Sequence, residues 1–294
     1  MITKNNAGEC DIVPVSYSFL HYMSNAELLT HLKAMIARGG QVLATARHNQ
    51  ELDATTGKIN SKGNETLAID IAVEKKLIEY AQAQTLPVVI YSEEAGIVNF
   101  HPDPLYTLVM DPLDGSNNHL QGQDLLPYGI FLAMYQTLSP DIDDVLVAAA
   151  LEHTRQLSFY FDGEKTVDGH GQTVKLRTDW KVDRKTPVYL ETFDSGYGQF
   201  LALARTIFIH NQGALVGSLG YVLKDAAAAM GGIAVKSEEV GAIVALIEGA
   251  GGKVVDLQGN SLRDQPLDHT RKYELIGGAP VIVDHIVKVL NGYS

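Results

Sequence analysis

The sequence predicts an α/β protein, α+β in part, built as two subdomains. Helix-period segments alternate with short apolar runs bounded by glycine and proline, the pattern of helices layered on sheets. Between residues 127 and 161 three apolar runs follow one another without a helical stretch, which marks an antiparallel portion of sheet. Near residue 185 strand and helix signals alternate again, so the expected subdomains are 1–183 and 184–294 with a cleft between them.

Ser24-Asn25-Ala26-Glu27 has capping-box form and opens a helix over 24–46, with Leu28, Leu32, Met35, Ile36 and Leu43 at helical spacing. Residues 50–65 are polar and read as a loop. A second helix covers 66–84 and places Asp70 and Glu74 on one face. Strand 87–91 ends in Ser92-Glu93-Glu94, and strand 105–110 ends in Asp111. Strands follow at 127–136, 145–151 and 156–161. In the second half the reading is strand 187–191, helix near 197–209, strand near 213–216 and helix 218–230, closed by Gly231-Gly232 as a C-cap. Helix 238–249 carries Glu239 in its first turn. Strands 253–256 and 274–278 and a helix over 280–291 complete the chain.

Composition narrows the function classes. The chain has 294 residues, 46% apolar and 20% charged, enough to bury a sizeable core. Its net charge of −12 argues against a nucleic acid polymer or an anionic membrane as main partner, since both need a basic face. Cys10 is the only cysteine, which excludes an intrachain disulfide and fits a reducing, cytoplasmic setting. The first residues lack the apolar core of a signal peptide, and no apolar run approaches the roughly 20 residues of a membrane helix.

The stretch richest in chemistry is Asp111-Pro112-Leu113-Asp114-Gly115-Ser116. Two carboxylates three positions apart at a strand end can converge on one divalent cation. Pro112 fixes φ, so Asp111, the Leu113 carbonyl and Asp114 can be presented together. Gly115 admits close approach to the backbone, and Ser116 stands where a helix begins, whose free N–H groups favour a phosphate. The same six residues also read as an ordinary Asp-Pro turn with a glycine.

Taken in order, Ser92 to Glu94 (S-E-E), Asp111 to Asn118 (D-P-L-D-G-S-N-N), Gly217 to Gly220 (G-S-L-G) and Glu239 to Gly252 (E-V-G-A-I-V-A-L-I-E-G-A-G-G) resemble the lithium-sensitive, magnesium-dependent phosphatase superfamily of inositol monophosphatases and fructose-1,6-bisphosphatases. Asp70 to Glu74 is similar to that family's D-x-x-V-E helix. The resemblance implies a layered αβαβα sandwich with the site at the sheet ends. It implies that Glu93, Asp111 and the Leu113 carbonyl hold one Mg²⁺, that Asp111, Asp114 and Glu239 hold a second, and that Glu93 faces a third, looser ion, Mn²⁺ being an alternative metal. It further implies that the amides of Gly115 and Ser116 cradle phosphate, that Ser116 paired with Asp70 and assisted by Glu93 activates water, that Gly217 and Ser218 touch substrate, and that the chain is a homodimer.

The expected activity is hydrolysis of a small phosphorylated polyol or sugar, of the inositol monophosphate or fructose 1,6-bisphosphate type. The alternatives are a 3′(2′),5′-bisphosphate nucleotidase and a non-catalytic relative that binds metal or metabolite. Two departures stand out. Glu238-Glu239 occupies the place of the Trp-Asp pair of inositol-type enzymes, and the segment from Gly232 to Glu239 is short. Lys236 and Tyr221 are the nearby candidates for gripping a second sugar phosphate, and a structural role is the simpler reading of each.

Overall fold

The computed structural model describes residues 2–4, 10–12, 22–46, 52, 54–60, 65–122, 124–191 and 195–292. In chain order the strands and helices are β1 (Ile2–Lys4), β2 (Cys10–Ile12), α1 (Asn25–Ala46), β3 (Thr55–Ile59), β4 (Glu65–Leu67), α2 (Ala68–Ala83), β5 (Val88–Ser92), β6 (Gly96–Asn99), β7 (Tyr106–Asp114), α3 (Ser116–Gln121) and β8 (Gly129–Tyr135). There follow β9 (Val145–Glu152), β10 (Leu157–Phe161), β11 (Thr166–Asp168), β12 (Pro187–Glu191), β13 (Phe208–His210), α4 (Leu215–Leu223), β14 (Ala229–Lys236), α5 (Ser237–Gly249), β15 (Lys253–Val255), β16 (Lys272–Gly278) and α6 (Pro280–Leu290). Short 3₁₀ helices lie at Ile142–Asp144 and Ser195–Arg205.

Two sheets organise the molecule. The larger has the order β11-β10-β9-β8-β7-β5-β6, in which only β5 and β7 run parallel. The smaller has the order β13-β12-β14-β16-β15. Five layers result. The apolar stripes of α1 and α2, including Leu32, Met35, Val73 and Leu77, cover one face of the larger sheet at Ile90, Leu108, Ile130 and Leu132. Its other face, with Val109, Phe131 and Ala148, packs on α4 and α5, whose Leu219, Ile243 and Leu246 also meet Met230 and Leu275 of the smaller sheet. Ile282, Val283 and Ile286 of α6, with Phe200 and Leu203, close the far side. This is the αβαβα sandwich.

Local signals account for much of it. Ser24 and Glu27 cap α1 reciprocally, Ser24 N–H donating to Glu27 Oε2 at 2.7 Å and Glu27 N–H to Ser24 Oγ at 3.3 Å. The apolar runs from 127 to 161 form the antiparallel strands β8, β9 and β10. Among the described residues no helix is long and apolar enough to cross a membrane.

The structure corrects the reading of the second half at several places. The strand expected near 213–216 is the entry to α4, and the helix expected over 218–230 ends at Leu223. Asp225 takes φ +54°, and the amides of residues 225–227 turn back onto Val222 and Tyr221. The glycines read as a C-cap, Gly231 and Gly232, lie inside β14 opposite Ile276 and Leu275. Gly231 is required by close approach rather than by helix termination: a Cβ there would stand 2.3 Å from the Leu275 carbonyl oxygen. Gly231→Ala is therefore expected to destabilise by about 1–3 kcal/mol, read from denaturant midpoints. The expected helix near 197–209 is the 3₁₀ segment 195–205 followed by β13. The expected loop 50–65 contains β3, paired with β4, while residues 50, 51, 53 and 61–64 lie outside the described part. Asp194-Ser195-Gly196-Tyr197 reads from the sequence as an Asx-turn that could also line the cleft; Asp194 and the side chains of Ser195 and Tyr197 lie outside the described part.

Candidate active site

β5 and β7 lie parallel with Ser92 opposite Met110, so Glu93 and Asp111 leave adjacent strands side by side. Residues three apart on a regular strand point to opposite faces. Here the register breaks: Asp111 pairs with Phe131 but Asp114 with Gly129, so one extra residue of β7 is accommodated at Pro112-Leu113. The bulge turns Asp111 and Asp114 toward the same place. Leu113 N–H donates to Asp111 Oδ1 at 2.9 Å, which fixes the Asp111 carboxylate. Asp114 Oδ2 accepts the Val216 N–H at 2.6 Å and ties the start of α4 to β7.

Glu239 arrives from the first turn of α5, where its Oε2 accepts the Lys236 N–H at 2.9 Å. Asp111, Asp114 and Glu239 are all buried, and each offers an oxygen within 4.8 Å of the others. Three carboxylates at that spacing suit a hard cation with oxygen ligands. Gly115 follows with φ +84°, and a Cβ on it would stand 2.8 Å from Ala214 Cβ and 3.0 Å from the Pro127 carbonyl. It is the N-cap of the six-residue helix α3.

Ser116 Oγ lies 3.2 Å from Asp70 Oδ1 and 3.0 Å from the Leu113 carbonyl oxygen, so its one proton serves either acceptor. Asp70 Oδ2 accepts the Leu67 N–H at 2.8 Å, which anchors the carboxylate at the head of α2. Burial pushes Asp70 up to about 8, with Glu94, Asp111 and Glu93 adding to the effect. Burial likewise raises Glu93, Asp114 and Glu239 above the carboxylate range.

These groups border one cavity of about 530 Å³. Asp70, Glu93, Asp114, Gly115, Ser116 and Glu239 line it, with Glu94, Asn60, Glu191, Lys236 and Lys272. Asn60, at the end of β3, donates to Glu93 Oε1 at 3.1 Å and Glu94 Oε1 at 3.0 Å. Thr66 Oγ1 donates to Glu94 Oε2.

Three features depart from the sequence reading. Gly217 and Ser218 do not line the cavity: a Cβ on Gly217 would meet the Pro127 ring at 2.5 Å, and Ser218 is fully buried. Ser218 Oγ is 3.0 Å from Glu191 Oε1, and Glu191 is the member of that pair that reaches the cavity. Burial raises Glu191 to about 7. Its signal in the sequence is an acid ending the apolar strand PVYLE, a pattern without a motif around it. Lys236 is not placed to grip a distant phosphate. Its ammonium sits among the acids, 2.7 Å from Glu93 Oε2, 3.0 Å from Asp111 Oδ2 and 3.4 Å from Glu239 Oε1. Burial opposes its charge, and Asp111, Glu93, Glu239 and Asp114 outweigh burial and hold it protonated. Tyr221 stacks on Tyr189 at 4.9 Å, under the Arg155 guanidinium at 5.0 Å, in a structural contact.

The chain has known relatives. The sequence model of the inositol monophosphatase family matches residues 24–292. A fructose-1,6-bisphosphatase/inositol-1-monophosphatase of Methanothermobacter thermautotrophicus is 29% identical over 97 residues, which span 31% of this chain and about a third (34%) of that relative. The extragenic suppressor protein suhB of Bartonella henselae has a similar structure, with a TM-score of 0.74, 16% identity and coverage of 90% of this chain and 98% of its own. The IMPase of Thermotoga maritima gives 0.73, 16%, 91% and 98%, and the inositol monophosphatase of Anabaena 0.70, 18%, 91% and 96%. At these identities the structures establish a shared fold. The match of the family model across almost the whole described sandwich shows that the chain belongs to the inositol monophosphatase family.

Proposed function

We propose that the protein is a Mg²⁺-dependent phosphomonoesterase for a small phosphorylated sugar or polyol. Membership of the family supports a phosphatase. The observation that carries the finer reading is the convergence of Glu93, Asp111, Asp114 and Glu239 from three separate parts of the chain beside the Ser116–Asp70 pair. The cavity volume is that of a small-metabolite site. Six carboxylates (Asp70, Glu93, Glu94, Asp114, Glu191 and Glu239) line the cavity with Asp111 buried beside them, and among the described residues Lys236 and Lys272 are the cationic side chains of that lining, so an anionic ester enters only with added positive charge. Asp111, Asp114 and Glu239 are the residues to hold that charge as a divalent ion.

A bound divalent ion supplies a water of lowered pKa and neutralises phosphoryl oxygens. The chain's own residues do the rest. Ser116 orients the attacking water through Oγ, and as that water loses its proton to Ser116, Ser116 passes its own to Asp70 Oδ1, 3.2 Å away. The amides of Gly115 and Ser116, at the head of α3 and without intrahelical acceptors, receive the phosphoryl oxygens. Ser116 is not a covalent nucleophile in this scheme: its Oγ hydrogen-bonds to Asp70 and the Leu113 carbonyl, with no histidine or lysine base among these partners, and the proton it gives up is replaced by that of the water. Glu191 contributes an acceptor for a substrate hydroxyl on the opposite wall. The site then lies between the subdomains 1–183 and 184–294.

The test is phosphate release from inositol monophosphates, fructose 1,6-bisphosphate and a 3′-phosphorylated adenosine bisphosphate, with and without Mg²⁺ and Li⁺. Turnover of a sugar or polyol ester that needs Mg²⁺ and falls with Li⁺ is expected. No release from any of these esters would refute the assignment. Ser116→Ala is expected to lower turnover by about 10-fold, less than the roughly 100- to 10,000-fold of a group that alone transfers the proton, since the water retains its other contacts.

A further inference from the structure

The sequence places no loop between β14 and α5: Lys236 ends one and Ser237 begins the other. Its backbone is extended, at φ −73° and ψ 155°, and its N–H is held by Glu239 Oε2. A residue pinned there, at the head of α5, must send its side chain along the carboxylates or away from them. Lys236 sends it along them. Its ammonium faces acids on three elements: it donates hydrogen bonds to Glu93 after β5 and to Asp111 in β7, and forms an ion pair with Glu239 in α5. Its side chain is 20% exposed, against 6%, 0% and 2% for its three partners, so it forms the cavity-side cover of the cluster.

We infer that Lys236 is a tethered cation that takes the place between Glu93 and Asp111 where the two-metal arrangement has an exchangeable divalent ion. Asp111, Asp114 and Glu239 are thereby left as the site for such an ion. The inference rests on the metal-centre reading above, and it deepens that reading by changing the number of ions. The geometry favours it on two counts. Glu93 and Asp111 each present to Nζ, at 2.7 and 3.0 Å, the oxygen that would face an ion between them. Both distances are hydrogen-bond lengths for an ammonium, so the lysine itself bridges the two carboxylates. A tethered charge also remains when divalent ions are removed, so the cluster keeps one internal counter-charge at all times.

The experiment counts ions rather than turnovers. The full chain, stripped with a chelator, is titrated with Mn²⁺ by equilibrium dialysis and electron spin resonance. Wild type is expected to bind about one Mn²⁺ per chain in the buried site, and Lys236→Met, of similar length and uncharged, about one more. In chelator, Lys236→Met is expected to melt below wild type and to regain the difference on adding Mn²⁺. Lys236→Arg keeps the charge and is expected to match wild type in stoichiometry, which serves if the methionine variant does not fold. Two ions on wild type, none on wild type, or the same count in wild type and Lys236→Met would each overturn the inference. An inactive protein that gains an ion in Lys236→Met would sustain it and sink the phosphatase reading, while an active wild type holding two ions would do the reverse.

Discussion

Asp111→Asn is expected to lower Mg²⁺-dependent phosphate release at least about 100-fold while leaving the fold intact, an effect of roughly 2.7 kcal/mol on the transition state. The substitution conserves volume at a fully buried position. Its Oδ1 can still accept the Leu113 N–H, which keeps the bulge in β7. At Oδ2 an amide N–H₂ would face the Lys236 ammonium, donor against donor, and the charge shared with Asp114 and Glu239 is gone. Loss of one negative charge from a crowded group of acids is tolerable to folding and costly to cation binding, so the two readouts separate. Circular dichroism and the melting midpoint should stay close to wild type. Equal turnover in the variant and wild type would falsify the catalytic reading of this cluster.

How much of this was legible in the residues depended on whether the cause was local. Asp111 and Asp114 could be read because Pro112 and Gly115 mark their geometry within six residues, and the capping pair Ser24 and Glu27 because it closes within one helical turn. Gly231-Gly232 misled because a C-cap signal and a close strand crossing use the same residue, and only the Leu275 carbonyl across the sheet decides between them. The direction of Lys236 was not legible. It follows from β14 running straight into α5 beside β5 and β7, a tertiary fact with no motif of its own. Glu191 and Ser218 show the same limit: one hydrogen bond sets which of them faces the cavity.

Freed of divalent ions, the protein is expected to lose stability as pH rises from about 5 to about 8, the reverse of ordinary acid denaturation. Burial pushes Asp70 up to about 8 and Glu191 and Glu93 to about 7 in the folded chain, with Asp114, Glu239, Glu74 and Glu152 also raised. In the unfolded chain such groups titrate near 4. Between these limits the folded state holds more protons, so its advantage is full below the unfolded values and is lost as pH climbs through the folded ones. His31 and His285, lowered by burial, pull the other way, but they are two partly exposed groups against seven acids. Each pKa unit corresponds to ~1.4 kcal/mol. If coupling within the cluster leaves a single net unit, the melting temperature still falls by about 2 °C. Mg²⁺ binds the deprotonated carboxylates of the folded chain, so it should flatten this slope and release protons on binding, most of them below pH 8. Melting scans in chelator and in excess Mg²⁺ across that range measure both effects. A chelated protein whose melting temperature rises steadily to pH 8 would mean that these acids are already ionised in the folded state, with Lys236 alone holding them together.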